Sequence, residues 1–85
     1  MENNIRDLSE FIGPIKNTPA MQVDVIDIKG VVKKTFSAPP GFQLERYVDD
    51  LYPEQDFMMY ATHEEINISV LDGEKITEIY RGRYK

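Results

Sequence analysis

The chain has 85 residues, no Cys, no Trp, one His and a formal net charge of −5. The lack of cysteine excludes disulfides, thiolate nucleophiles and cysteine-ligated zinc, and it fits a reducing cytoplasmic setting. A hydrophobic share of 41% supports a folded core, yet a chain this short buries only about 60–65% of its unfolded surface, which favours recognition on an outer face over an enclosed substrate cleft.

No apolar run reaches the roughly 18–20 residues that span a bilayer. The opening MENNIRDLSE lacks the basic and apolar regions of a signal peptide. The expectation is one complete α+β domain over residues 1–85, cytoplasmic, with no cofactor.

In chain order, residues 1–20 read as a helix and a loop. Ile5, Leu8 and Ile12 recur at helical spacing with Phe11 alongside, predicting a helix over 4–12 that Gly13-Pro14 ends. Residues 21–37 read as a strand pair. Met21 to Ile28 is rich in β-branched residues, and its alternation slips after Val25, which suggests a bulge or a strand covered on both sides. Lys29-Gly30 marks the turn, and Val31 to Ser37 forms the partner.

Pro39-Pro40-Gly41 then breaks the chain. Leu44, Tyr47, Val48 and Leu51 follow at i, i+3, i+4 and i+7, the cleanest amphipathic helical pattern present. The predicted helix lies within residues 42–52 and stops before Pro53. Its outer face carries Glu45, Arg46, Asp49 and Asp50. Glu45 and Asp49 repel at i, i+4, and Asp49 and Asp50 sit near the negative end of the helix dipole. Breaking both rules at once suggests that something besides stability selects these acids.

Residues 56–81 read as three strands. In Asp56 to Thr62, Phe57, Met59 and Ala61 share one face and Met58 and Tyr60 the other. Ile66, Ile68 and Val70 alternate in the next strand, Asp72-Gly73 signals a hairpin turn, and Lys75 to Arg81 returns, followed by a Gly82–Lys85 tail. The hairpin register stays open. A two-residue loop pairs Ile66 with Ile79 and splits Ile76 and Tyr80 from that face; a three-residue loop pairs Ile66 with Tyr80 and turns Glu78 inward. The order α-β-β-α-β-β-β predicts an antiparallel sheet of four or five strands with one or two helices on one face.

Charge is unevenly placed. Between Glu45 and Glu78 stand ten acids and two bases, Arg46 and Lys75. An acidic field of this kind attracts basic partners and speeds their docking. It disfavours direct nucleic-acid binding, although Arg81, Arg83, Tyr80 and Tyr84 in the YRGRYK end could grip a single strand by charge and stacking. The simpler reading of that end is a solubilising tail, or one that neutralises nearby carboxylates. His63, beside Glu64 and Glu65, could shuttle a proton or bind a metal, but neighbouring strand residues point apart and no nucleophile motif accompanies it. No phosphate-binding glycine loop is present.

The expected function is therefore a non-enzymatic acidic binding protein that inhibits or adapts a larger basic partner protein. The character fits a phage or mobile-element inhibitor, an anti-defence protein that occludes the nucleic-acid-binding surface of an enzyme or complex. The expected contact residues are Glu45, Asp49, Asp50, Tyr52, Glu54, Asp56, Glu64 and Glu65, with Tyr52 as an aromatic anchor and Met58 and Tyr60 as candidates to lie outside the core. The alternative is a structural subunit of a homo-oligomer that assembles through an exposed strand edge at Lys75 to Arg81.

Overall fold

The computed structural model describes residues 19–85; the helix expected at 4–12 lies outside them. Strands β1 (Met21–Ile26), β2 (Val32–Ala38), β3 (Asp56–Ala61), β4 (Glu65–Asp72) and β5 (Lys75–Tyr84) form one sheet in the order β2-β1-β5-β4-β3. Every neighbouring pair is antiparallel. One helix, α1 (Leu44–Leu51), connects β2 to β3. The α+β expectation holds, with five strands and one helix among the described residues.

The sheet has one apolar face. Val23 and Gly82 are partners there, as are Val25 and Tyr80, Ile68 and Tyr80, and Phe57 and Val70. Helix α1 contributes Leu44, Tyr47 and Val48 to the same buried cluster, joined by Met21, Val23, Val25, Ile66, Ile68 and Val70. Three of the four positions of the helical spacing read from the sequence thus fill the core, while Leu51, the last, is exposed. A chain of rings crosses this layer. Phe36, Phe42 and Tyr47 lie 5.4–6.3 Å apart between centroids, and Tyr47 and Tyr52 each approach Tyr80, at 6.4 and 6.3 Å. Tilted and edge-on ring pairs at these distances add to plain area burial.

Helix α1 is shorter than expected. Pro39 accepts a bond from the Phe42 N–H across a turn, and Gly41 takes a positive φ of 83°, a conformation that favours glycine. Phe42 therefore enters the core as a loop residue, and the helix begins after Gln43.

Two bulges set the registers. Between Val25 and Ile26 the pairing with β2 slips by one residue, leaving Lys33 of β2 without an opposite number. Strand β1 itself runs in regular register against β5, and Val23 to Ile26 are all buried, so the lost alternation in β1 comes from a strand covered on both faces rather than from a bulge in it. The β4–β5 hairpin pairs Asp72 with Lys75 and Leu71 with Ile76, then slips so that Val70 faces Glu78 and Ile68 faces Tyr80. Neither regular register fits. A two-residue loop combined with a bulge at Thr77 brings Tyr80 onto the core face and turns Glu78 inward with it.

The strand order narrows one expectation. Lys75 to Arg81 belongs to β5, which lies between β1 and β4; Ile79 to Arg81 is paired on both sides, while Lys75 to Glu78 is paired with β4 and lies beyond the end of the β1 ladder. Gly82–Lys85 is not a tail: β5 continues to Tyr84, and the Lys85 N–H bonds the Ala20 carbonyl. The edges are β2 and β3.

Candidate protein-binding surface

The basic residues of the sheet are largely committed inside the fold. Asp24, on the face opposite α1, is 4% exposed. It accepts bonds from the Arg83 guanidinium at 2.9 Å and the Thr35 hydroxyl at 3.0 Å, with Arg81 at 3.8 Å. A buried carboxylate is tolerated only when charge and hydrogen bonds compensate its lost hydration, and the two arginines do this across the β1–β5 ladder. The YRGRYK end therefore neutralises a carboxylate within the fold through Arg81 and Arg83.

Glu78 forms the second buried centre. The bulge in β2 lets Lys33 reach it, donating to Oε2 at 2.6 Å. The Tyr52 hydroxyl donates to Oε1, and the Tyr80 hydroxyl lies 3.3 Å from the same oxygen. Burial pushes the Glu78 carboxyl up, but the bonds from Lys33 and Tyr52 outweigh it and hold the group below its ordinary range. Burial raises the Tyr80 hydroxyl, helped by the bond to Tyr52, and it raises Tyr52 as well, with Glu78 adding to the shift. The hydrogen bond and charge of Glu78 raise Lys33.

These shifts define a pH window. A carboxyl with a lowered folded pKa contributes stability that is present above its unfolded value and is lost as pH falls through the folded one. The lysine and tyrosines, raised on folding, contribute stability that is present below their unfolded values and is lost as pH rises past them. Stability should be flat near neutrality, fall below about pH 4 and fall again above about pH 10. Glu78→Gln should cost about 1–2 kcal/mol at neutral pH and flatten part of the acid limb in urea melts. An acid limb identical to that of the wild type would remove Glu78 as a cause.

Against this internal pairing, the acids of α1 and the following loop stand outward. Glu45, Asp49, Asp50, Glu54 and Asp56 are exposed. Among the described residues the ion pairs engage Asp24 and Glu78, and none engages Glu45, Asp49, Glu54 or Asp56. The amphipathic pattern explains the placement: burying Leu44, Tyr47 and Val48 turns positions 45, 49 and 50 to the outside. Over residues 44–56 five acids face one base, Arg46, whose guanidinium bonds the Gln43 side chain.

The eight expected contact residues do not form one patch. Glu64 and Glu65 sit at the far end of β3, about 17 Å along the strand from Asp56. Glu64 is exposed there, but Glu65 is half-buried and accepts a bond from the Asn67 amide. Tyr52 also departs from expectation. It is half-buried, packs against the core and spends its hydroxyl on Glu78, so it is a core-side tie rather than a free aromatic anchor. His63 is exposed in the β3–β4 turn, where Thr62 accepts the Glu64 and Glu65 N–H groups. Among the described residues no group of three or more His, Asp or Glu could hold a metal ion. No described helix is long and apolar enough to cross a membrane.

Exposed apolar residues occur at Ile28, Val31 and Val32 around the β1–β2 turn, at Leu51 and at Ile76, and three more are consecutive on β3. Met58, Met59 and Tyr60 are 53%, 57% and 66% exposed. Alternation alone places Met58 and Tyr60 outside the core; it does not place Met59 there. Met59 is exposed despite facing the core side, because an edge strand has a neighbour on one flank only.

No protein-family model matches this chain, and no curated protein or solved structure does either.

Proposed function

We propose that this chain is a non-enzymatic binding protein whose acidic helix surface docks on a larger, basic partner protein and inhibits or adapts it. The contact surface is Glu45 and Asp49 on α1 with Glu54 and Asp56 in the loop beyond, and Asp50 lies beside them. One observation carries the reading: the fold pairs Asp24 and Glu78 with Lys33, Arg81 and Arg83, while Glu45, Asp49, Glu54 and Asp56 are left exposed without ionic partners among the described residues. Local helix energetics would favour a base at the C-terminal turn, yet that turn has none.

A surface of this kind raises association rates and rejects acidic competitors more than it adds raw affinity. On a partner that handles nucleic acid, it would compete for the groove that normally holds phosphates. A phage or mobile-element inhibitor is the biological setting this suits. The partner complex should accordingly form more slowly as salt is raised, because screening acts on exposed charges beyond roughly 8–10 Å. Stopped-flow association with the partner across ionic strengths tests this. A rate indifferent to salt would mean that the acids are ordinary surface charge.

A further inference from the structure

The two edges of the sheet are built differently. Edge β2 carries Lys33 and Lys34, and charged edge residues of this kind discourage pairing with another chain. Edge β3 has the sequence DFMMYA, with no charge from Phe57 to Ala61 and with Met58, Met59 and Tyr60 exposed. Among the described residues its only strand neighbour is β4. We infer that β3 is a self-association edge, at which a second copy of this chain adds its own β3 antiparallel to the first.

The backbone sets which groups are available. The Thr62 N–H donates to the Glu65 carbonyl, so Thr62 and Glu65 form a hydrogen-bonded pair. Hydrogen-bonded and non-bonded pairs alternate along an antiparallel ladder. Tyr60 and Met58 therefore direct their backbone groups to β4, and Ala61, Met59 and Phe57 direct theirs outward. An antiparallel copy centred on Met59 satisfies all three: Met59 opposes its own copy, and Phe57 and Ala61 oppose each other. On the other face Met58 meets Tyr60. At the strand end Asp56 falls opposite Thr62, so this register sets no like charges face to face.

A second copy fits this edge better than a basic foreign segment, because the uncharged stretch Phe57–Ala61 offers a basic chain nothing to pair with. The edge is short. A six-residue strand buries less than the roughly 800 Å² per partner of a standard interface, so the dimer is a reversible one in the micromolar range. Pairing in this register puts the two-fold axis perpendicular to the sheet, which becomes ten-stranded and carries both copies of α1 on the same face. Two acidic helices then stand on one surface, and a partner with two basic sites would gain avidity from them. The pairing itself does not depend on the acidic surface having a partner.

Analytical ultracentrifugation of the full chain, from low micromolar to millimolar concentration, tests the inference. The wild type should shift from monomer to dimer. Met59→Pro removes an outward-facing N–H, which an edge strand tolerates, and it should weaken association at least about tenfold. Met59→Lys, which adds an edge charge, should do the same. Circular dichroism melts confirm that each variant is folded. Amide exchange gives a second reading: Met59 and Ala61 should gain protection with concentration, while Met58 and Tyr60 stay protected throughout. A wild type that remains monomeric, or a dimer that both folded variants form as tightly, would overturn the inference. Loss of the dimer with partner capture intact would leave the acidic-surface reading standing.

Discussion

Leu44→Ala is expected to destabilise the protein by about 3–4 kcal/mol, lowering the melting temperature by roughly 15–20 °C. Leu44 is fully buried and opens the only helix among the described residues. Its side chain reaches the middle of the sheet, where its Cδ2 would lie 3.3 Å from a Cβ built on Gly82. Truncating it leaves a cavity that a sheet cannot close by sliding. The consequence extends to function, because α1 holds Glu45, Asp49 and Asp50 outward only while Leu44, Tyr47 and Val48 hold it down. Leu44→Ala should therefore lose partner binding through stability, whereas charge reversal at Asp49 should lose it with the melting temperature nearly unchanged. Thermal melts of the two variants side by side check this. A Leu44→Ala variant as stable as the wild type would show that α1 is not anchored by this side chain.

The second large effect is expected at Gly82. This residue lies in β5 between Val23 of β1 and Ile66 of β4, directly under the helix. A Cβ there would come within 2.6 Å of the Met21 sulfur and 3.2 Å of Ile66 Cγ2. The methionine end is flexible, but Met21 is itself fully buried and has nowhere to swing without displacing a neighbour. Gly82→Ala should cost about 1–3 kcal/mol, and Gly82→Val more. The cause can be isolated by a double-mutant cycle. Met21→Ala alone creates a cavity, and adding Gly82→Ala should fill part of it, so the pair should be less destabilising than the sum of the singles by about 1 kcal/mol or more. Denaturant melts of the four proteins measure this. Strict additivity would mean that Met21 does not press on position 82.

What the sequence made legible was local. The recurrence of Leu44, Tyr47, Val48 and Leu51 located the helix, alternation located β3 and β4, and Asp72-Gly73 located the hairpin. The break after Val25 marked a strand buried on both faces; the bulge beside it belongs to β2. What escaped was non-local. Strand β5 inserts between β1 and β4, an arrangement set by pairing residues up to 63 positions apart, as with Met21 and Tyr84, and no short window carries that information. The same limit applies to Glu78. Turned inward it looked like an argument against its register, because its compensating cation, Lys33, lies 45 residues away. Asp24 and Arg83, 59 residues apart, hid in the same manner. Two features could have flagged these pairs: an acid between apolar strand positions needs a cation, and the lysines of β2 and arginines of β5 were the available ones. The acidic outer face of α1 was readable because amphipathicity fixes it. Grouping it with Glu64 and Glu65 was not, since strand length separates them.

The most direct measurement uses two baits, the wild type and a Glu45→Lys, Asp49→Lys, Glu54→Lys variant, both shown to be folded, in affinity capture from the native host followed by mass spectrometry at low and moderate salt. The acidic-surface account predicts that the wild type retains one basic protein or complex at low salt, that moderate salt releases it, and that the variant does not retain it at either. Recovery of the same protein by both baits, undiminished by salt, would contradict the account.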